Sequence, residues 1–187
     1  GKQFRDNKII SFGYTSPCGR PHAEANTLEN VHFKKNKIYT LYSTLEPCCH
    51  EGRDESCVSK ILKSKKINRV IFSLIDPDKR VNGKGKKILK KNNLEVKSGL
   101  LENQIKNLYQ GYILNRKENR PKIILKLAIT KDGYITFEKG KRTKITNLIS
   151  DKYSDILRSE VDAILVGANT VRTDNCILKC KMTGLIN

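Results

Sequence analysis

Thr44-Leu45-Glu46-Pro47-Cys48-Cys49-His50-Glu51-Gly52-Arg53-Asp54-Glu55-Ser56-Cys57 is the stretch on which the reading of this chain turns. The residues leading into it, Ile38–Thr44, alternate apolar and polar as a half-buried strand does, so the cysteines sit on the loop that leaves a strand. A helical pattern follows, with Val58, Ile61, Leu62 and Ile67 approximating one face, and Ser56 stands where it can cap that helix. A cysteine at such a strand-to-helix turn has its thiolate favoured by backbone N–H groups and by the helix dipole. Upstream, His22-Ala23-Glu24 follows Pro21, a residue suited to a helix start. In mid-helix, residues two apart diverge by about 200°. His22 and Glu24 therefore face one site only if His22 stands where the helix begins.

Three donors of types His, Cys and Cys, here His22, Cys48 and Cys57, leave the fourth tetrahedral position to water, the arrangement of a catalytic zinc. Zn2+ lowers that water's pKa toward neutrality, and Glu24 is placed as the carboxylate that takes its proton. The order His-x-Glu, then Pro-Cys, then Cys is the signature of zinc deaminases, in which the Glu is not a ligand. The alternative is a closed, structural zinc that takes a fourth ligand from Cys18, Cys49 or His50 and leaves Glu24 idle. Cys176 and Cys180 have no companion pair and read as spare thiols, and His32 reads as a surface residue.

Strand and helix patterns alternate around this segment, which predicts an α/β protein. Strands are expected at 8–14, 38–44, 69–75 and 94–97, and helices at 22–31, 84–92 and 101–116. Asn115–Pro121 is polar, ends in proline and reads as a linker. Beyond it, strands are expected at 122–129, 134–137 and 163–166, with a hairpin-type turn at Lys131-Asp132-Gly133 and a helix capped by Ser150. Two domains follow, residues 1–116 and 117–187.

The net charge is +18, from 37 Lys+Arg against 19 Asp+Glu. The lysines scatter along the chain with no aromatic residues interleaved as stacking platforms, so they read as a surface coat and nucleic acid is not expected as a partner. Such a surface still favours a phosphorylated substrate. No apolar run approaches the roughly 20 residues needed to cross a bilayer. The N-terminal residues lack a signal-peptide core, so a cytoplasmic location is expected and the six cysteines read as metal ligands and free thiols. With no initiator Met, the chain is expected to be a fragment of a longer protein.

The gap of eight residues between Cys48 and Cys57 is longer than in many nucleoside deaminases, and its content resembles the bifunctional deaminase/reductase of riboflavin biosynthesis. That family reads His-Ala-Glu, then Thr-Leu-Glu-Pro-Cys-(Ser/Cys)-His-x-Gly-(Arg/Lys) and a later Cys. Asp76-Pro77-Asp78-Lys79 and Val81-Asn82-Gly83-Lys84-Gly85 are similar to its next stretches. Past the linker, Pro121, Lys126–Gly133, Ile145-Thr146, Arg158-Ser159, Asp162–Gly167, Thr170-Val171 and Asp174 resemble the start of its reductase half. The resemblance departs at Asp54-Glu55-Ser56, Arg142, Lys144 and Cys176.

It implies a cytidine-deaminase-like α/β/α domain followed by the beginning of a dihydrofolate-reductase-like α/β domain, and a homo-oligomer at full length. It implies hydrolytic deamination of a diaminopyrimidinone ribosylamine 5′-phosphate by the first domain and NADPH-dependent reduction by the second. Arg158 and Leu178 then match substrate positions, and Ala128, Thr170 and Asp174 match NADPH positions. His50 and Arg53, in the loop between the cysteines, are candidates for gripping the substrate, Arg53 either as a phosphate fork or as a solvated loop charge, and Asp76 is a further substrate candidate. Two other readings compete: a nucleoside or nucleic-acid deaminase, and an inactive zinc-binding scaffold.

Overall fold

Tyr39–Leu45 and Ile67–Leu74 are apolar stretches too rich in β-branched and aromatic residues to stay solvated, and they form the first two strands, β1 and β2. The computed structural model describes residues 8–52, 54–138, 141 and 143–184. Glu95–Ser98 is the third strand, β3, and the sheet runs β1-β2-β3 with both pairings parallel. Parallel neighbours need crossover connections. Helix α2, Cys57–Ser64, links β1 to β2, and α3, Lys84–Lys91, links β2 to β3. Helix α1, Ala23–Glu29, precedes β1 and packs beside α2.

The core lies between the sheet and these helices. Val70 and Phe72 alternate along β2, point to one face and are fully buried. Ile61 of α2 and Leu89 of α3 meet them there, with Leu41, Val58, Ile67 and Val96 completing the cluster. The expected lysine-rich helix is thus amphipathic, with Gly85 and Leu89 inward and its lysines outward. After β3, the chain forms α4, Glu102–Leu108, and α5, Gln110–Glu118, with a break at Tyr109 where one helix was expected.

Several expected elements take other forms. Ile67 opens β2 instead of extending the α2 face. Residues 8–14 are not a strand, because their polar groups are satisfied by α1 instead. Ser11 Oγ donates to the Thr27 carbonyl at 2.9 Å, and Asn26 Nδ2 donates to the Tyr14 carbonyl at 2.8 Å. Gly13 lies so close to α1 that a Cβ would stand 2.8 Å from the Ala23 carbonyl oxygen.

The chain parts into two units, Gly1–Ile123 and Ile124–Asn187. In the second, α6, Leu148–Ser159, and α7, Ala168–Asp174, form. Asn147 rather than Ser150 caps α6, its side chain accepting from the Ser150 N–H at 2.9 Å. The strands expected at 122–129, 134–137 and 163–166 are absent among the described residues. A strand needs a backbone partner along its length. Here only the turn pairs: the Thr130 N–H donates to the Tyr134 carbonyl at 2.8 Å, and the Gly133 N–H to the Thr130 carbonyl at 3.0 Å. Leu125, Leu127, Ile135 and Phe137 remain exposed. No helix among the described residues is long and apolar enough to cross a membrane.

Candidate metal centre

His22 is the N-cap of α1, with extended backbone at φ −71° and ψ 160°. That break from helical geometry is what lets His22 and Glu24 converge, since Glu24 already lies in the first helical turn. Cys57 is the first residue of α2, whose N-cap Ser56 accepts the Ser59 N–H at 3.2 Å. β1 delivers Cys48 from the other side. Its carbonyl accepts the Val58 N–H at 3.0 Å, and its sulfur accepts the Cys57 N–H at 3.3 Å. The loop is therefore clipped onto the positive end of α2.

The three expected ligands come together. His22 Nδ1 lies 3.4 Å from Cys48 Sγ and 3.4 Å from Cys57 Sγ, and the three donor atoms all fall within 4.8 Å of one another. Glu24 Oε2 accepts from Cys57 Sγ at 3.6 Å, so the carboxylate adjoins the cluster. Cys48 and Cys57 are buried, and His22 is half-buried.

Proximity sets the protonation states. The Cys48 thiol is pulled well down, first by the hydrogen bond from Cys57 and then by His22, against the cost of burial. Cys57 keeps the proton it shares and is pushed well up. His22 is raised by its bond to Cys48, and Glu24 is raised by desolvation. One imidazole nitrogen and two sulfurs sharing protons at this spacing are a donor set suited to zinc, which replaces those protons on binding.

Other expected site residues are more dispersed. His50 lies on the loop after Cys48, and its Nδ1 is buried with no hydrogen-bond partner among the described residues. Arg53 lies outside the described residues. Asp76 is 6% exposed, and its Oδ1 accepts both the Asp78 N–H and the Tyr112 hydroxyl at 2.8 Å. In the second unit, Arg158 and Leu178 line one cleft of about 670 Å³ with Asp162 and Ile177. Ala128 is on irregular chain, while Thr170 and Asp174 are on α7.

Glu46, Asp78 and Tyr112 matter more than the sequence suggested. Asp78 pairs with Arg80 at 2.6 Å, and Arg116 stacks on the Tyr112 ring at 5.5 Å. An acid closing a strand is the one signal that could have found Glu46.

Residues 4–74 match the family described as the cytidine and deoxycytidylate deaminase zinc-binding region, and residues 121–185 match the RibD C-terminal domain. The riboflavin biosynthesis protein RibD of Aquifex aeolicus is 39% identical over 171 residues, covering 91% of this chain and 48% of that protein. Its Escherichia coli counterpart is 32% identical over 181 residues, covering 97% and 49%. The chain thus spans about half the length of the curated relatives it matches. Among solved structures, Acinetobacter baumannii RibD superposes with a TM-score of 0.86 at 31% identity, over 97% of this chain and 51% of that one. A diaminohydroxyphosphoribosylaminopyrimidine deaminase/5-amino-6-(5-phosphoribosylamino)uracil reductase from Thermotoga maritima superposes with a TM-score of 0.88 at 34% identity, over 98% and 52%. Over the half of their length that it shares with these proteins, the chain belongs to the RibD family of riboflavin biosynthesis.

Proposed function

We propose that the first unit is a zinc-dependent deaminase that hydrolyses 2,5-diamino-6-(5-phosphoribosylamino)pyrimidin-4-one to 5-amino-6-(5-phosphoribosylamino)uracil and ammonia. The observation that carries this reading is the convergence of His22 Nδ1, Cys48 Sγ and Cys57 Sγ within 4.8 Å, with Glu24 beside them. The three side chains hold the metal. Bound there, zinc supplies a Lewis acid that makes water nucleophilic near neutral pH.

The rest is the work of the chain's own groups. The Glu24 carboxylate takes the proton that water gives up and passes it to the ring nitrogen. It then serves the departing amine, so that water and substrate become the oxo product and ammonia. Desolvation raises the affinity of Glu24 for a proton, which suits a group that must both take and return one. His50, whose buried Nδ1 has no partner among the described residues, offers that nitrogen to a polar group of the substrate. Arg53 offers a planar fork to the 5′-phosphate. Asp76, whose Oδ1 is held by the Asp78 N–H and the Tyr112 hydroxyl, turns its carboxylate to the substrate.

The second unit carries part of an NADPH-dependent reductase. Ala128, Thr170 and Asp174 serve the cofactor, and Arg158 and Leu178, which line one cleft, serve the substrate.

Ammonia release by the zinc-loaded chain tests the deaminase reading. Release is expected from the diaminopyrimidinone ribosylamine phosphate and not from cytidine. Glu24→Gln is expected to keep its zinc and lose about 10²–10⁴-fold in rate. Release from cytidine instead would make the chain a nucleoside deaminase. Full zinc occupancy with no release from either would make it a scaffold.

A further inference from the structure

Glu46 is a buried carboxylate, 2% exposed, following the last residue of β1 and two residues before Cys48. Its oxygens gather three backbone N–H groups from two separate parts of the chain. Oε2 accepts from Gly83 at 2.8 Å and from Asp76 at 3.3 Å, and Oε1 accepts from Lys86 at 2.8 Å. Asp76 belongs to the loop after β2, and Gly83 and Lys86 belong to the start of α3. Three N–H donors and a helix N-terminus compensate a buried negative charge.

Gly85 completes the contact. A Cβ there would collide with the Pro47 carbonyl oxygen and stand 3.2 Å from Glu46 Oε1. Backbone thus meets backbone beside the residue that leads into Cys48.

We propose that Glu46 is a positioning residue for the metal loop, pinning Pro47-Cys48 against α3 and so fixing where Cys48 Sγ stands relative to His22 and Cys57. This rests on reading those three residues as metal ligands. The role needs an acceptor-only group. Both oxygens accept, so in Glu46→Gln either amide orientation aims an NH2 at a backbone N–H.

The test uses the full chain and three variants: Glu46→Gln, Gly85→Ala, which wedges the same contact without touching the carboxylate, and the core control Phe72→Leu. Zinc affinity is read by competition with a chromophoric chelator. Geometry at the ligands is read from the thiolate and d–d absorption of the Co2+-loaded chain, with far-UV ellipticity reporting folding. Glu46→Gln and Gly85→Ala are each expected to bind zinc about tenfold or more weakly and to alter the Co2+ spectrum. Phe72→Leu is expected to lower the urea midpoint and leave both readouts unchanged.

Parental affinity and spectrum in a folded Glu46→Gln would overturn the proposal. So would loss of fold in both loop variants under conditions where Phe72→Leu stays folded, because Glu46 would then be a general structural residue. Zinc binding that is absent in the parent, or unaffected by His22→Ala, would remove the metal-site reading and the proposal with it.

Discussion

Asp78 shows how a single residue's surroundings become a pH dependence. The Arg80 guanidinium holds its carboxyl well below the usual range, with Arg116 adding a weaker pull at 4.0 Å. The folded pKa therefore lies below the unfolded value of about 3.9, and the stabilisation is present above that pH and lost as the pH falls below it. Asp78→Asn is expected to cost about 1–2 kcal/mol near neutrality. Measured by urea unfolding with chelator present, the gap between parent and variant should stay constant from about pH 7 to 5 and shrink below about pH 4. A gap that widens on acidification would contradict the pairing. At this scale the convergence of His22, Glu24, Cys48 and Cys57 was legible in the sequence, because a metal site would demand particular atoms in a particular order along the chain. Glu46 and Tyr112 were not, since their partners are backbone N–H groups and a carboxylate tens of residues away.

Among the elements, α2 bears most directly on the centre, because its first residue is Cys57 and its N-terminus faces Cys48. Ser56 holds that end, accepting the Ser59 N–H while itself only 2% exposed. Ser56→Ala is expected to cost about 1 kcal/mol of stability, read as a lower urea midpoint with unchanged slope. It should also loosen zinc, because the Cys57 N–H bond to Cys48 Sγ depends on the same turn. β2 was readable because burial in a parallel sheet leaves a nearly continuous apolar run, and β1 because it alternates as a half-buried strand does. The same signal misled at 8–14 and beyond residue 121. An apolar run specifies a strand only where another backbone pairs with it, and pairing is not written in the run itself.

At the scale of the molecule, burial is uneven. Every buried apolar side chain among the described residues lies between Ala25 and Val96, while Leu165 is 98% and Phe137 80% exposed. Native-state amide exchange should therefore protect β1, β2 and α2 most strongly and leave residues 124–184 exchanging fastest. Strong protection in α6 would contradict that distribution. The α/β class and the deaminase-like first half were legible from alternating patterns and the metal motif. The irregular backbone of the second unit was not, because composition and periodicity there match strands whose partners the described residues do not supply.

X-ray absorption at the zinc edge of the zinc-loaded chain decides whether the metal has three protein ligands. Two sulfur scatterers and a single imidazole are expected from the protein, with one sulfur lost in Cys57→Ser and the imidazole lost in His22→Ala. A third sulfur from Cys18 or Cys49, or a second imidazole from His50, would mean a closed structural site and would contradict the assignment of Glu24 to catalysis.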